Sequence, residues 1–438
     1  METTLVIFSA GLLIFLAHLF SALFEKTRVP DVLLLVLIGL FIGPVTGIVD
    51  RDVIGEFGNV FAIIALVIIV FESGLGLTLS SLRESMGRGV RLTVINFIGT
   101  LLVVLLICRL VFDMSVLEAL ILGSILGSAS PAVAIPLVER LRLQPGTRTA
   151  LILESTFGEV IAIVFALGFI QAVEHEELRP TLMFGTVIAS FLLAAVIGAL
   201  AAFFWSTVLN RVRQLKNNAF LTPAFVFVAY GITELLGYSG VISALVFGIV
   251  LGNMESMQKW QFLQHPTLRE NAFFRSLKLT FQPNERERAF FAELVFLLRT
   301  FFFVYIGLSI PLEDSTPLLA GLVLTLALFL IRIRVVQASL DKGVTTFDAS
   351  IAAVMVPKGL AAAVVASVAV EAEIEHGGVI QDITYAVILF SIAATSVLTF
   401  LMEKTRVRRF YASLFSKYAP EEPFSRGALY GRQDASAT

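Results

Sequence analysis

Long apolar stretches follow one another along almost the whole chain, and short polar connections separate them. A helix that crosses a membrane needs about 20 mainly apolar residues. Thirteen stretches of this kind are predicted to be spans: 3–24, 32–49, 57–80, 91–112, 115–138, 148–172, 180–207, 218–236, 239–256, 289–312, 316–340, 346–372 and 378–402. The first lacks a basic start and a small-residue cleavage site, so we expect a retained span and not a signal peptide. The pattern predicts an all-α polytopic membrane protein.

The composition excludes several other classes. Of the 438 residues, 57% are hydrophobic and 15% are charged, whereas about a quarter of a soluble domain is charged. A net charge of -2 argues against a nucleic-acid partner, and the single Cys108 excludes a disulfide framework or a cysteine zinc site. The histidines show no metal-ligand spacing, and no nucleophile–base pair is evident, so we expect neither a cofactor nor an enzyme.

Basic residues are concentrated in every second connection, which the positive-inside rule assigns to the cytoplasm. Arg83, Arg88 and Arg91 follow the third span, for example, while the connection before that span carries Arg51. We therefore expect a cell (inner) membrane protein with its N-terminus outside and its C-terminus cytoplasmic.

Two polar regions stand apart from the spans. The connection 253–288 contains FFRSLKLTF, which is either an amphipathic segment on the membrane surface or an ordinary solvated loop. The tail 403–438 is polar, and we expect it to be cytoplasmic and poorly ordered.

The chain repeats itself in its two halves. Three aligned pairs occur in the same order: Gly39 with Gly248, Gly74 with Gly307, and Pro131 with Pro357. They predict two inverted six-helix repeats, 1–172 and 218–402, which the span 180–207 links within a transmembrane domain 1–402. Inverted repeats with helices broken at matching places are typical of secondary transporters. Paired glycines alone would indicate only close helix packing.

Prolines interrupt the fifth and twelfth spans. GSASPAVAIP carries Pro131 and Pro136, and MVPKGLAAAVV carries Pro357 and Gly359. A proline removes a backbone hydrogen bond, and in lipid the freed polar groups must find partners in protein or a water-filled cavity. These four residues are predicted helix breaks, and the two discontinuous helices are expected to cross near the midplane.

Glu159 lies near the middle of the sixth span, where an ionisable side chain by default marks an ion pathway. A buried carboxylate can hold a proton or a monovalent cation, but not both at once. The hydroxyls of Ser128, Ser130 and Ser155, with carbonyls freed by Pro131, would add the hard oxygen ligands that Na⁺ or K⁺ prefers. The competing interpretation of Glu159 is a structural ion pair.

Glu154 precedes Glu159 by five positions and therefore points about 140° away around the helix. It is better placed for a basic partner than for the same ion. Lys358 and Arg332 are the two candidates, and these three charges are predicted to stabilise the crossed helices.

These motifs resemble the monovalent cation:proton antiporter superfamily, which includes sodium/proton and potassium/proton exchangers. LLLVLIGLFIGP and YSGVISALVFGIVLGN resemble the family's second-span signature and its counterpart, and VPKGLAAAVVAS resembles its Pro-Arg-Gly or Pro-Lys segment. ESTFGEVIAIV resembles the Glu-Ser-x-x-Asn-Asp segment, which puts Glu159 at the ion-binding aspartate. The resemblance spans 1–402 and implies a homodimer whose core domain moves like an elevator against a dimerisation domain.

The chain departs from the family pattern at three places. It has Ala129-Ser130-Pro131 for Thr-Asp-Pro, Gly158-Glu159 for Asn-Asp, and Lys358 for arginine. One carboxylate favours electroneutral exchange, although proton release by Lys358 would make the cycle electrogenic. Two alternatives remain: transport of another solute, such as an organic anion held by Lys358 or Arg299, and a non-transporting sensor.

Overall fold

A computed structural model describes residues 2–27, 30–49, 51–76, 79–174, 180–212, 220–254, 285–310, 312, 314–404 and 407–419. Over these residues the chain is almost entirely helical. In chain order the helices are α1 Glu2–Thr27, α2 Asp31–Leu40, α3 Arg51–Gly76, α4 Leu79–Val111, α5 Val116–Ile125, α6 Pro131–Arg140, α7 Pro145–Glu174, α8 Pro180–Val212, α9 Leu221–Leu235, α10 Gly240–Gly252, α11 Glu285–Ser309, α12 Ser315–Ser339, α13 Thr346–Val354, α14 Leu360–Glu371, α15 Gly377–Lys404 and α16 Val407–Leu414. A π-helical turn, Phe41–Val45, extends α2.

The helices occur where the apolar stretches predict them. Among the described residues, five helical segments are long and apolar enough to cross a membrane: Gly87–Val111, Pro145–Val173, Ala289–Ser309, Ser315–Ser339 and Gly377–Met402. Several shorter apolar helices accompany them. The all-α, multi-pass class is therefore confirmed, while the count of thirteen spans stays a prediction.

Both predicted discontinuities occur in the structure. The span 115–138 consists of α5 and α6, and the span 346–372 consists of α13 and α14. Ser115 begins α5 with a capping box, because its hydroxyl accepts from the Glu118 N–H while the Glu118 carboxylate accepts from the Ser115 N–H. Thr345 caps α13 by accepting from the Asp348 N–H.

Pro136 is a correction to the predicted breaks. Pro131 occupies the first position of α6, where a missing N–H costs no intrahelical bond. Pro136 instead lies inside α6, which continues through it to Arg140. Its only missing bond would have gone to the carbonyl of Ala132 in the first turn, and the rest of the helix keeps its pairing.

The helices form two groups. A scaffold group comprises α1–α3 and α8–α11, with α10 packed on α3 and α8, and α11 packed on α2. A site group comprises α4–α7 and α12–α15, with α4 packed on α5, α7 and α12, and α15 packed on α12 and α14. Contacts between the groups are sparser, and the most extensive of them is between α14 and α3. The scaffold group also has its own aromatic core, which includes Phe71, Trp205 and Phe247.

Glycines allow two pairs of helices in the scaffold group, α2 with α11 and α3 with α10, to pack closely. A Cβ at Gly39 would lie 2.0 Å from the Val304 carbonyl oxygen and 2.9 Å from the Gly307 Cα. A Cβ at Gly248 would lie 2.2 Å from the Phe71 carbonyl oxygen, and Gly74 faces it from α3. Because the obstructing atoms belong to the backbone, no side-chain movement could relieve these contacts.

Charged residues join α4 to the connection between α12 and α13. Arg88 Nε lies 2.6 Å from Asp341 Oδ2, and Arg91 Nη2 lies 2.8 Å from Asp341 Oδ1. Hydrogen bonds from Arg91 and then Arg88 lower the pKa of Asp341 below its usual value. All three side chains are largely exposed, so this cluster positions the connection more than it stabilises the fold.

The first part of the tail is a correction to the expected disorder. The segment 407–419 packs against the site group: Phe415 and Tyr418 are buried, and the Tyr418 hydroxyl donates to the Val336 carbonyl at 3.1 Å. The Thr346 N–H donates to the Ala419 carbonyl at 2.9 Å, at the start of α13. Apolar side chains within a polar segment made this docking possible. The remainder of the tail and FFRSLKLTF lie outside the described residues.

Replacing Gly39 by alanine should destabilise the scaffold group, since the new methyl group would meet the backbone of α11. Overpacking of this kind costs about 1–3 kcal/mol. The matched control is Gly231→Ala in α9, where nothing lies within 4 Å of an added Cβ. Thermal unfolding of the purified protein in detergent would compare them. Equal melting temperatures for the two variants would contradict the close packing of α2 on α11.

Candidate ion-binding site

The two broken helices meet at their breaks. The Ser130 N–H, between α5 and α6, donates to the Pro357 carbonyl, between α13 and α14, at 2.7 Å. A Cβ at Gly359 would lie 2.1 Å from Ser130 Oγ, so this crossing requires glycine at position 359. The interruption of each helix thus leaves backbone groups free, and the other helix satisfies one of them.

Two buried cations occupy the carboxyl-terminal ends of the first half-helices. Lys358 Nζ donates to the Ser128 carbonyl just beyond α5, at 2.8 Å. Arg332 Nε donates to the Ala352 carbonyl in the last turn of α13, at 2.9 Å. Unsatisfied carbonyls make such an end partially negative, so a cation there is favourable. Lys358 and Arg332 therefore stabilise one break each.

Glu154 forms a two-pronged ion pair with Arg332. Both Arg332 terminal nitrogens donate to the carboxylate, with 2.6 Å between Nη2 and Glu154 Oε2. The side chains are 1% and 2% exposed. Of the two basic partners predicted for Glu154, the structure thus places Arg332 in direct contact. Lys358 instead contacts the broken backbone of α5–α6.

Glu159 faces the opposite direction and lines a pocket between the two broken helices. The pocket is partly open, with about 180 Å³ of space that includes open solvent, and its lining residues are Ile125, Ser128, Glu159, Ala162, Ile163, Ala361, Ala362 and Val365. Ala361 and Ala362 belong to the first turn of α14, whose partially positive end favours an anion. The Glu159 side chain is buried, and it is the one ionisable group in this lining.

The three predicted serine ligands occupy different positions. Ser128 lines the pocket with Glu159. Ser130 lies at the crossing, and its buried hydroxyl makes no hydrogen bond among the described residues. Ser155 is also buried, but its hydroxyl donates to the Ile152 carbonyl at 3.0 Å, one turn earlier in α7. The structure thus joins Ser128 and Ser130 to the break and leaves Ser155 facing its own helix.

Three residues that support the breaks were missed in the sequence. The Asn96 side chain in α4 donates to the Gly127 carbonyl at 3.1 Å, and the Ser391 hydroxyl in α15 accepts from the Lys358 N–H at 2.9 Å. Gly158 allows α7 to approach, because a Cβ there would lie 3.3 Å from the Ser128 Cβ. A polar side chain within an apolar span was the available signal for Asn96 and Ser391, but many spans contain one.

Arg299, proposed above as a holder of an organic anion, already has an acidic partner. Its Nη2 lies 3.1 Å from Asp31 Oδ2, between α11 and α2. This pair belongs to the scaffold group. Arg299 does not line the Glu159 pocket.

Comparison with known proteins identifies relatives of the whole membrane region. The family described as "Sodium/hydrogen exchanger, transmembrane" matches residues 11–404. The Na(+)/H(+) antiporter 1 of Methanocaldococcus jannaschii is 26% identical over 326 residues, which is 72% of this chain and 70% of that protein. The K(+)/H(+) antiporter subunit KhtU of Bacillus subtilis is 24% identical over 279 residues, 60% of this chain and 66% of that protein.

A solved structure has the same fold. The sodium proton antiporter MjNhaP1 from Methanocaldococcus jannaschii, at pH 8, superposes with a TM-score of 0.71. The alignment covers 91% of this chain and all of that one, at 22% sequence identity. At this identity the likeness concerns the arrangement of the helices.

Replacing Glu154 by glutamine should destabilise the protein, because Arg332 would keep a buried charge without its counter-charge. Breaking a buried pair in this way costs about 3–5 kcal/mol. The double variant Glu154→Gln/Arg332→Met should be more stable than the single variant, since it removes both charges. Thermal unfolding in detergent would compare them, with Glu139→Gln at the exposed end of α6 as the matched control. A Glu154→Gln protein as stable as this control would contradict the role of the ion pair.

Proposed function

Since the chain belongs to the sodium/hydrogen exchanger family of transmembrane proteins, we propose that it exchanges a monovalent cation, Na⁺ or K⁺, for a proton. Glu159 carries the two ions in turn. The observation that carries this proposal is the burial of the Glu159 carboxylate in a pocket between two broken helices. The named relatives, antiporters for Na⁺ and for K⁺, agree with this class of reaction.

The exchange follows from the cost of burying a charge. A buried charge is unfavourable, so a proton or a cation bound at the Glu159 carboxylate lowers the cost of its burial. Binding of one ion displaces the other because both compete for the same oxygens. A pocket that opens alternately to the two sides would then move cation and proton in opposite directions.

Neighbouring oxygens complete a cation site. Ser128 lines the pocket, and the buried Ser130 hydroxyl at the crossing has no hydrogen-bond partner among the described residues. Hydroxyl and carbonyl oxygens are the ligands that hard cations prefer. Ser155 is a further candidate ligand. Its hydroxyl donates a hydrogen bond to the Ile152 carbonyl, and the lone pairs of the hydroxyl oxygen could still coordinate a cation.

The stoichiometry is proposed to be one proton for one cation. Glu159 supplies the single ionisable group of the pocket lining, so it can hold one positive charge at a time. The Lys358 side chain donates to the Ser128 carbonyl and its backbone N–H donates to the Ser391 hydroxyl, which supports a positioning role for this residue. Exchange on these terms is electroneutral, and the transport rate should not respond to a membrane potential.

Inverted repeats are part of the proposal, and the glycine contacts support them. The repeat pairs Gly39 with Gly248 and Gly307 with Gly74. Under this pairing, the close contact between Gly39 and Gly307 is equivalent to the close contact between Gly248 and Gly74, and both contacts are observed. The repeat also pairs Pro131 with Pro357, so each break corresponds to the other. The crossing, where the two breaks meet, therefore involves both members of this pair. Thirteen spans then consist of two six-helix repeats and α8 as the linker.

We further propose that the site group moves as an elevator core against the scaffold group. The sparse contacts between the groups support a boundary at which they could slide. The scaffold group would then form the homodimer, and the basic connections would lie in the cytoplasm with the C-terminus. The mobile group carries Glu159 together with both breaks.

The alternative solute, an organic anion, receives less support. The pocket lining contains a carboxylate and no basic residue, and Lys358 and Arg299 are occupied elsewhere. A non-transporting sensor differs from an antiporter because it moves neither protons nor cations across the membrane. The first experiment below separates these classes.

The Glu159→Gln variant should lose exchange, because an amide cannot take up and release a proton at this site. Purified protein in proteoliposomes, with a pH-sensitive dye inside, would receive a pH gradient and then Na⁺, K⁺ or Li⁺. Wild type should move protons with at least one cation, and Glu139→Gln should match it. Persistent exchange in a folded Glu159→Gln protein would refute the role of Glu159. A wild type silent with every cation would refute the antiport itself.

Ser130→Ala should weaken the apparent cation affinity about tenfold, since a hydrogen bond to a charged group is worth roughly 1.5 kcal/mol. The maximal rate should change less than the affinity. Ser243→Ala is the matched control, because Ser243 is another buried serine whose hydroxyl has no partner among the described residues, but it lies in α10. Equal cation affinities in both variants, measured by the same dye assay, would exclude Ser130 as a ligand.

A further inference from the structure

A second group of ligand-bearing side chains lies away from the Glu159 pocket. It comprises Glu118 in the first turn of α5, with Glu375 and His376 in the connection between α14 and α15. It is at the opposite end of α4 from the cluster of Arg91 with Asp341, roughly 30 Å away at a rise of 1.5 Å per residue. The group therefore occupies the end of the bundle that carries few basic residues.

The three side chains are close enough to share an ion. One oxygen from each carboxylate and one ring nitrogen of His376 lie within 4.8 Å of one another. His376 Nδ1 and Glu118 Oε1 are already in contact at 2.6 Å. These two residues are 258 positions apart in the chain, so the fold alone brings them together.

Glu118 is held in place before any ion binds. Its second carboxylate oxygen, Oε2, accepts from the Ser115 N–H at 2.8 Å, as part of the capping box of α5. The Glu118 side chain is buried, whereas Glu375 is exposed and His376 is partly so. A fixed ligand with an oriented partner, open on one side, is a common arrangement of metal sites in proteins.

The charge of the group favours a cation. Two carboxylates, those of Glu118 and Glu375, lie beside the His376 ring, and His376 Nδ1 is 2.6 Å from Glu118 Oε1. Two carboxylates with one imidazole leave a net negative charge when the imidazole is neutral. A divalent cation would neutralise it.

The donor set selects the kind of ion. Sites of oxygen ligands alone suit Na⁺, K⁺, Mg²⁺ and Ca²⁺, whereas an imidazole suits zinc and neighbouring transition metals. Zinc commonly takes three protein ligands, histidine and carboxylate among them, and leaves one position for water. The set of Glu118, Glu375 and His376 matches that pattern.

We propose that Glu118, Glu375 and His376 form a binding site for a divalent transition-metal ion of the Zn²⁺ class, separate from the site at Glu159. The ion would join the start of α5 to the connection between α14 and α15. Both segments lead directly to the half-helices that line the Glu159 pocket. A bound ion would thus link the start of α5 to the end of α14, which are the ends of the two broken helices farthest from the breaks. This proposal does not depend on the exchange reaction.

Metal binding would be measured on the whole purified protein in detergent, prepared without a histidine tag and stripped with a chelator. Isothermal titration with Zn²⁺ should give saturable binding of one ion per chain, and Mg²⁺ and Ca²⁺ should not compete. Co²⁺ in place of Zn²⁺ should produce visible absorption bands of a protein-coordinated ion. Zn²⁺ should also raise the melting temperature, because a ligand that binds the folded state stabilises it.

Two variants test the ligands without disturbing the capping box. Glu375→Gln and His376→Gln should each weaken Zn²⁺ binding about tenfold or more, since even loss of an outer partner of a metal ligand costs 10–100-fold. His18→Gln is the matched control, because His18 is an exposed histidine in α1 that contacts Phe296. Undetectable Zn²⁺ binding by the wild type would overturn the proposal. Binding that both variants retain in full, or that His18→Gln removes, would overturn it equally.

Discussion

Backbone groups freed at two helix breaks must find partners inside the protein, since lipid offers none. The structure meets this constraint by crossing the breaks, so that the Ser130 N–H is paired with the Pro357 carbonyl. Gly359 permits the approach, and Asn96 and Ser391 provide further hydrogen bonds from neighbouring helices. This crossing joins the two broken helices whose residues line the Glu159 pocket.

Buried charges near the crossing are divided between two tasks. Lys358 and Arg332 neutralise the carbonyl ends of α5 and α13, and Glu154 neutralises Arg332 in turn. Glu159 lies in the same helix as Glu154 but on its other side, in a pocket whose lining contains no basic residue. The proposed exchange at Glu159 depends on this separation from Arg332 and Lys358, which contact the ends of the half-helices.

Much of the fold was predictable because lipid imposes one rule on the whole membrane region. Apolar stretches of sufficient length must be helices, so the helix positions and the membrane class could be inferred before any contact was known. The breaks at Pro131 and Pro357 were predictable for the same reason, since proline cannot continue the backbone pairing. Pro136 shows the limit of that inference, because a helix loses only one bond to an internal proline and can continue through it.

The sequence by itself therefore determined the class of protein, the family, the breaks at Pro131 and Pro357 and the acidic residue at mid-span. Only the tertiary structure decided which buried cation pairs with Glu154, that segment 407–419 docks on the site group, and that Glu118 meets His376. The physical reason is the distance along the chain over which each interaction acts. Hydropathy and backbone pairing act within one segment and are visible in its residues, whereas the pairing of side chains depends on how distant helices pack.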